Sequence, residues 1–119
     1  MKLIIAGSRN IDKHKVMHWL DRNGVDDEDL EIICGMAKGP DLAGKEWAST
    51  LPVPVIEFPA DWDKYGKKAG YIRNAQMAAY ADELLAFWDG KSKGTRNMIE
   101  EMLILDKPVK VILDKYLWI

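Results

Sequence analysis

Three glycine-bearing segments of the sequence carry basic side chains, and two of them hydroxyls as well, in the way that phosphate sites do. Their candidate ligand-binding residues are Gly7, Ser8 and Arg9; then Gly35, Lys38, Gly39 and Asp41; and then Asp89, Ser92, Gly94 and Thr95. Backbone N–H groups at such turns, together with hydroxyls and cations, bind phosphate oxygens. Each segment alone also fits an ordinary solvated turn, and Thr95 also fits a helix cap. Together they predict one phosphate pocket.

Two more pairs of residues are candidates for the same pocket. An acid at Asp61 suits ribose hydroxyls and an indole at Trp62 suits stacking on a base, although helix capping and packing explain the pair equally well. Arg73 and Asn74 lie in a stretch of helical periodicity beside apolar Ile72 and Met77, which suits a face that carries a cationic group toward the end of the sheet. A surface position for Arg73 fits the spacing equally well.

The elements that must position these residues alternate along the chain. Apolar runs rich in β-branched residues predict strands at 2–6, 30–34, 53–58, 83–88 and 109–113. Helical periodicity predicts helices at 12–23, 40–48, 67–81 and 95–105, the first capped by Asp12 and stopped by Gly24. We therefore expect an α/β fold, a Rossmann-like three-layer sandwich with a mainly parallel sheet of about five strands.

This arrangement explains why the candidate residues belong together. In open α/β sheets, ligands bind outside the carboxyl ends of the strands, and most of the candidates directly follow a strand. The 119 residues contain no long linker, repeat or low-complexity block, so we expect a single domain over 1–119.

Composition limits the partners. A formal net charge of -2 and a pI near 5.7 give the chain no basic footprint, so we expect no bulk nucleic-acid binding. One cysteine, Cys34, and the absence of a signal or membrane-spanning stretch predict a cytoplasmic protein. His14 and His18 are four residues apart without an acidic or cysteine partner at metal spacing, so we expect no metal and no required cofactor.

The motifs taken together resemble the YspA/YpsA-related branch of the SLOG superfamily. The resemblance rests on Gly7-Ser8-Arg9, Cys34-Gly35-x-Ala37-x-Gly39-x-Asp41, Pro59-Ala60-Asp61-Trp62, Arg73-Asn74-x-x-Met77 and Ser92-x-Gly94-Thr95. It covers nearly the whole chain. It implies a Rossmann-like sheet and a role in binding or sensing nucleotides such as ADP-ribose, NAD-related molecules or AMP, often in bacteria or phages.

A second resemblance bears on catalysis. The LOG-type cytokinin-activating family is similar in its Arg-Lys-x-x-Met helix and its Pro-Gly-Gly-x-Gly-Thr-x-x-Glu loop, and it cleaves nucleotide N-glycosidic bonds. Arg73-Asn74-x-x-Met77 and Gly94-Thr95 match these motifs, whereas Met98 occupies the position of the catalytic glutamate. Asp61 is the first candidate for a substitute acid, with Asp41 and Asp89 as the others.

The sequence therefore leads to three functional hypotheses. The first is a protein that binds, senses or sequesters a small nucleotide or cyclic nucleotide. The second is a LOG-like N-glycoside hydrolase. The third is an oligomeric interaction subunit, a homodimer or a larger homo-oligomer, in which the C-terminal Tyr116-Leu117-Trp118-Ile119 packs internally or against a second copy.

Overall fold

The computed structural model describes residues 1–24, 27–35, 40–51 and 53–118. Its five strands form one sheet in which every neighbouring pair is parallel, in the order β3-β2-β1-β4-β5. The strands are β1 (Lys2–Gly7), β2 (Glu31–Cys34), β3 (Val55–Glu57), β4 (Glu83–Trp88) and β5 (Val109–Leu113). The predicted α/β class with a parallel five-stranded sheet is confirmed.

Helices cover both faces of this sheet. They are α1 (Lys13–Asn23), α2 (Pro40–Ser49), α3 (Trp62–Tyr65), α4 (Ala69–Tyr80) and α5 (Lys93–Ile104), with 3₁₀ turns at Gly66–Lys68 and Asp114–Trp118. One buried cluster packs α1 and α2 on the sheet through residues such as Val16 and Trp47. The other packs α4 and α5 through Met77 and Met102. Strands buried on both faces explain the continuous apolar runs.

Local signals place most helix ends correctly. The Asp12 carboxylate accepts a hydrogen bond from the His14 N–H at 2.8 Å, and Gly24 ends α1 with a positive φ of 61°. The predicted helix 67–81 is wrong at its start, because Gly66 adopts a positive φ and separates the short α3 from α4. Helix α5 begins at Lys93 rather than at residue 95, so Ser92 and not Thr95 is its N-cap residue.

The C-terminal segment packs partly inward. Leu117 joins the cluster under α1 and α2, while Tyr116 stays 53% exposed. Ile119 lies outside the described residues. The edge strand β3 is shorter than the predicted 53–58. Pro54, just before it, contributes only its carbonyl, which accepts from the Ile32 N–H.

Candidate functional site

A cleft opens at the carboxyl ends of β1 and β4, where the strand order changes direction. Gly7 and Phe87 are paired at these ends, and the chain runs from β1 toward one edge and from β4 toward the other. The cleft has a volume of about 420 Å³. Its walls are Ala6, Gly7, Arg9, Asn10, Asp41, Arg73, Asn74, Met77, Ser92, Gly94, Thr95 and Met98. Most of the predicted site residues therefore meet in one place.

Arg73 on α4 is the central cation of the cleft. Its guanidinium donates to the Gly35 carbonyl and, through Nε, to Asn74 Oδ1 at 3.1 Å. Burial lowers the pKa of Arg73, the Asp41 carboxylate opposes this shift, and the nearby charge of Arg9 adds to it. A half-buried, firmly held guanidinium beside a second one is an anion-binding arrangement.

Asn74 ties the cation to helix α5. The side chain is 5% exposed, and its Nδ2 donates to Asn97 Oδ1 at 2.9 Å and to the Gly94 carbonyl at 3.3 Å. Since its Oδ1 accepts from Arg73, the amide spans α4 and α5 while fixing the guanidinium. The role of Asn74 in this geometry is to position Arg73.

Three hydroxyls cluster where the turns after β1 and β4 meet the start of α5. Thr95 Oγ1 is 3.5 Å from Ser8 Oγ and 3.3 Å from Ser92 Oγ. Ser8 is buried, and its hydroxyl also accepts from the Asp89 N–H at 3.1 Å. Ser8 therefore joins the β1 and β4 loops, while Ser92 and Thr95 line the cleft.

Asp89 shapes the loop between β4 and α5 and does not line the cleft. Its Oδ1 accepts from the Lys91 N–H at 2.8 Å and from the Ser92 N–H at 2.7 Å. These bonds to Ser92 and Lys91, with a smaller contribution from Ser8, lower the pKa of Asp89 although partial burial opposes them. The carboxylate therefore holds this loop in the conformation that brings Ser92 to the cleft.

Close packing explains why glycine occurs at two positions of the site, Gly7 and Gly35. A Cβ atom on Gly7 would lie 2.1 Å from the Phe87 carbonyl oxygen and 2.8 Å from Pro40, and one on Gly35 would overlap the Arg73 guanidinium. A Cβ on Gly94 would meet nothing within 4 Å. Main-chain atoms thus require glycine at position 7, a side chain at position 35 would displace the Arg73 guanidinium, and Gly94 borders open space.

Asp61 and Trp62 lie apart from the cleft. Asp61 accepts from the Lys64 N–H at 3.1 Å and caps α3, so the capping interpretation describes its contacts. It lines a second cavity of about 230 Å³, which Arg73 also borders. Trp62 is 53% exposed. Lys38 and Gly39 lie outside the described residues.

Four wall residues, Ala6, Asn10, Met77 and Met98, were not among the sequence candidates, nor was Asn97, which bonds to the wall residue Asn74. Asn10 follows Arg9 directly, so its place in the β1 turn was the available signal. Asn97 joins the network through a tertiary contact that no spacing reveals. Met77 and the 1% exposed Met98 form the apolar floor. Met98 is also the residue that stands at the glutamate position of the LOG-type motif compared above.

The donor set suits phosphate oxygens better than a metal. Among the described residues, no group of three or more His, Cys, Asp or Glu side chains is arranged to hold a metal ion. His14 and His18 are both exposed on α1. Within the same part of the chain, no helix is long and apolar enough to cross a membrane.

Two comparisons identify the family. The model of the YspA, cpYpsA-related SLOG family matches residues 1–65, more than half of the chain. The Gene 61 protein of Mycobacterium phage D29 is 34% identical over 130 residues, covering 96% of this chain and 98% of the phage protein. The chain belongs to the YspA, cpYpsA-related SLOG family. The resemblance inferred from the motifs is confirmed.

A solved structure shares the fold of this SLOG chain. It is DNA processing protein A from Helicobacter pylori, described for its unique single-stranded DNA binding mode. The TM-score is 0.69 at 21% sequence identity, with 93% of the SLOG chain covered. The SLOG chain spans 64% of that protein's chain.

This likeness overturns the functional hypotheses drawn from the sequence. The expected ligand was a small nucleotide and no bulk nucleic-acid binding was expected, but a protein of this fold binds single-stranded DNA. The exclusion rested on the net charge of the whole SLOG chain, which says nothing about the charge at one edge of the sheet. Neither comparison supports the small-nucleotide, hydrolase or oligomeric-subunit hypotheses.

Proposed function

We propose that this chain binds single-stranded DNA along the carboxyl edge of its sheet, with Arg73 and Arg9 at a backbone phosphate. The observation behind the proposal is that two guanidinium groups border one open cleft. Within the described residues neither forms an ion pair with a carboxylate. Two such cations beside amide and hydroxyl donors match the oxygens of a phosphodiester.

Cations beyond the cleft favour a polymer over a single anionic group. Lys91 and Lys93 are exposed on the loop and first turn that lead into α5, next to the wall residues Ser92 and Gly94. Arg96 follows on the same helix, where it is paired with Glu100 at 2.9 Å. A strand whose phosphate occupies the cleft therefore has further positive charge along its path.

The fold comparison adds support of a second kind. DNA processing protein A has the same fold and binds single-stranded DNA, and its resemblance covers nearly all of this chain. At 21% identity the likeness concerns the fold, so the argument for DNA rests on the residues at the cleft. The Arg73–Asn74 network supports that argument, because a guanidinium already held in place loses little conformational freedom when it binds a phosphate.

Fluorescence anisotropy of a labelled oligodeoxythymidine, titrated at several NaCl concentrations, tests the proposal. The wild type should bind, with affinity falling steeply as salt rises. Arg73→Gln should weaken binding roughly tenfold at low salt and reduce the slope of log K against log[salt] by about 0.7. Failure of the wild type to bind, or equal affinity and slope in the variant, would contradict the proposal.

Two controls separate charge from folding. Arg22→Gln removes an arginine from the last turn of α1. This turn lies away from the cleft, because the C-cap residue Gly24 lines a different cavity together with Met1, which precedes β1. It should keep the wild-type affinity and slope. Arg73→Lys retains the charge but not the planar fork and should give intermediate affinity. Urea unfolding of each variant checks that the fold survives.

The setting of this activity is also proposed. Cys34 is a buried thiol that forms no disulfide with the described part of the chain, which fits a reducing cytoplasm, and the phage relative fits a bacterial or phage origin. All five strands share one sheet, which fits a single domain over 1–119. The proposed DNA binding requires no cofactor. Fractionation of cells that express the tagged chain tests the location, since recovery with membranes would contradict it.

A further inference from the structure

The segment from α3 into the following turn exposes aromatic rings among lysines. Its sequence is Trp62-Asp63-Lys64-Tyr65-Gly66-Lys67-Lys68, and every one of these residues is exposed. Trp62 is 53% exposed and Tyr65 38%. Exposed rings interleaved with cations are the composition of surfaces that hold single-stranded nucleic acid.

Protein contacts order this segment. The Trp62 ring approaches Gly70 of α4, where an added Cβ would lie 3.6 Å from Cη2 of the indole. The Tyr65 N–H donates to the Asp61 carbonyl at 3.0 Å, and Lys64 Nζ lies 5.1 Å from the centre of the Tyr65 ring. These contacts place the Trp62 ring beside α4 and Lys64 Nζ beside the Tyr65 ring.

The segment adjoins the proposed phosphate site. Tyr65, Lys64 and Arg73 all border the second cavity, and Arg73 borders the main cleft as well. At about 230 Å³ the second cavity is smaller than the roughly 300–1,000 Å³ of sites for drug-sized ligands. A flat group of the size of one nucleobase, attached to a phosphate on Arg73, suits this position.

We infer that residues 62–68 form a base-stacking platform for the single-stranded DNA whose phosphate Arg73 holds. The inference rests on the proposed function and adds to it the direction of the strand, from the main cleft across α3. Tyr65 and Trp62 provide ring faces for bases, and Lys64, Lys67 and Lys68 lie beside the neighbouring phosphates. Stacking is tolerant of sequence, so the platform predicts little base preference.

Paired ligands and paired variants test the platform. Anisotropy is measured with an oligodeoxythymidine and with an abasic strand of equal length. Trp62→Leu and Tyr65→Leu should each weaken binding of the oligodeoxythymidine roughly tenfold, the effect expected for loss of one stacked base. Both should leave binding of the abasic strand unchanged, because it has phosphates but no bases to stack.

Matched variants keep the test specific. Tyr65→Phe and Trp62→Phe retain a ring and should bind within about twofold of wild type. Tyr116→Leu removes another exposed aromatic, from the C-terminal 3₁₀ turn, and should have no effect. An equal loss of affinity for both strands would show a structural or electrostatic effect and overturn the platform.

The outcomes also separate the two proposals. If the wild-type protein binds neither the oligodeoxythymidine nor the abasic strand, the proposed function is overturned and the platform with it. Wild-type binding that depends on Arg73 but is unchanged in both leucine variants overturns the platform alone. In that case, an aromatic surface that instead binds a protein partner would be the remaining explanation of the exposed rings.

Discussion

At the scale of single residues, the polar groups of the site divide into those that build it and those that face a ligand. Asn74 and Asp89 form their hydrogen bonds with other protein groups. Asn74 holds Arg73, and Asp89 holds the β4–α5 loop. Arg73, Arg9 and Thr95 line the cleft. Substituting a residue of the first group should change stability, and substituting Arg73 should mainly change binding.

Asp89 gives a pH-dependent prediction. Its pKa in the folded chain lies below the ordinary 3.8 because the Ser92 and Lys91 N–H groups bond the ionised form. The stabilisation is therefore fully present above the unfolded pKa and is lost as the pH falls through the lowered one. Asp89→Ala should reduce the free energy of unfolding by about 1 kcal/mol at pH 7, with the deficit shrinking below pH 3.8.

Urea unfolding at pH 7, 5 and 3 measures this deficit. Asp89→Asn is the matched control, because its amide oxygen still accepts both N–H bonds without the charge. It should retain most of the stability and lose the pH dependence. A deficit in Asp89→Ala that is as large at pH 3 as at pH 7 would mean that the ionised carboxylate does not hold the loop.

At the scale of elements, the sequence predicted what local patterns determine. Apolar runs located all five strands, and those at 83–88 and 109–113 have the observed bounds. Their parallel order follows from the alternation with helices, so the meeting of Arg9, Ser92 and Thr95 at one edge was predictable.

Tertiary contacts explain what the sequence did not reveal. The bond from Asn74 to Asn97 joins two helices, and the neighbours of Gly7 come from β4 and α2. Asp61 and Trp62 follow β3 and were expected in the cleft, but β3 is the edge strand, two positions away from β1. The strand order was needed to place both residues away from the cleft, with Asp61 beside a separate cavity.

The two glycines at the cleft should respond oppositely to alanine. Gly7→Ala places a Cβ against the Phe87 carbonyl, a main-chain atom that cannot turn aside, so we expect a loss of about 2 kcal/mol or more. Gly94→Ala adds a methyl in open space within α5 and should gain roughly 0.5–1 kcal/mol. Thermal and urea unfolding measure both, and destabilisation of equal size in the two variants would contradict this packing account.

At the scale of the whole molecule, the distribution of charge matters more than its sum. The net charge is -2, yet Arg9, Arg73, Lys91 and Lys93 lie at or beside one edge of the sheet. The opposite edge includes acidic groups such as Asp82, which accepts from the Lys2 N–H, and Asp27, which pairs with the N-terminus. A polyanion approaching this chain therefore meets different potentials at the two edges.

The most direct measurement is an NMR titration of the ¹⁵N-labelled chain with an oligodeoxythymidine. Binding along the carboxyl edge predicts concentration-dependent shifts in the amide signals of Arg9, Asn74, Gly94 and Thr95, with those of Asp29 and Asp82 unchanged. An absence of shifts at millimolar strand, or shifts confined to Asp29, Asp82 and their neighbours, would contradict single-stranded DNA binding at the cleft.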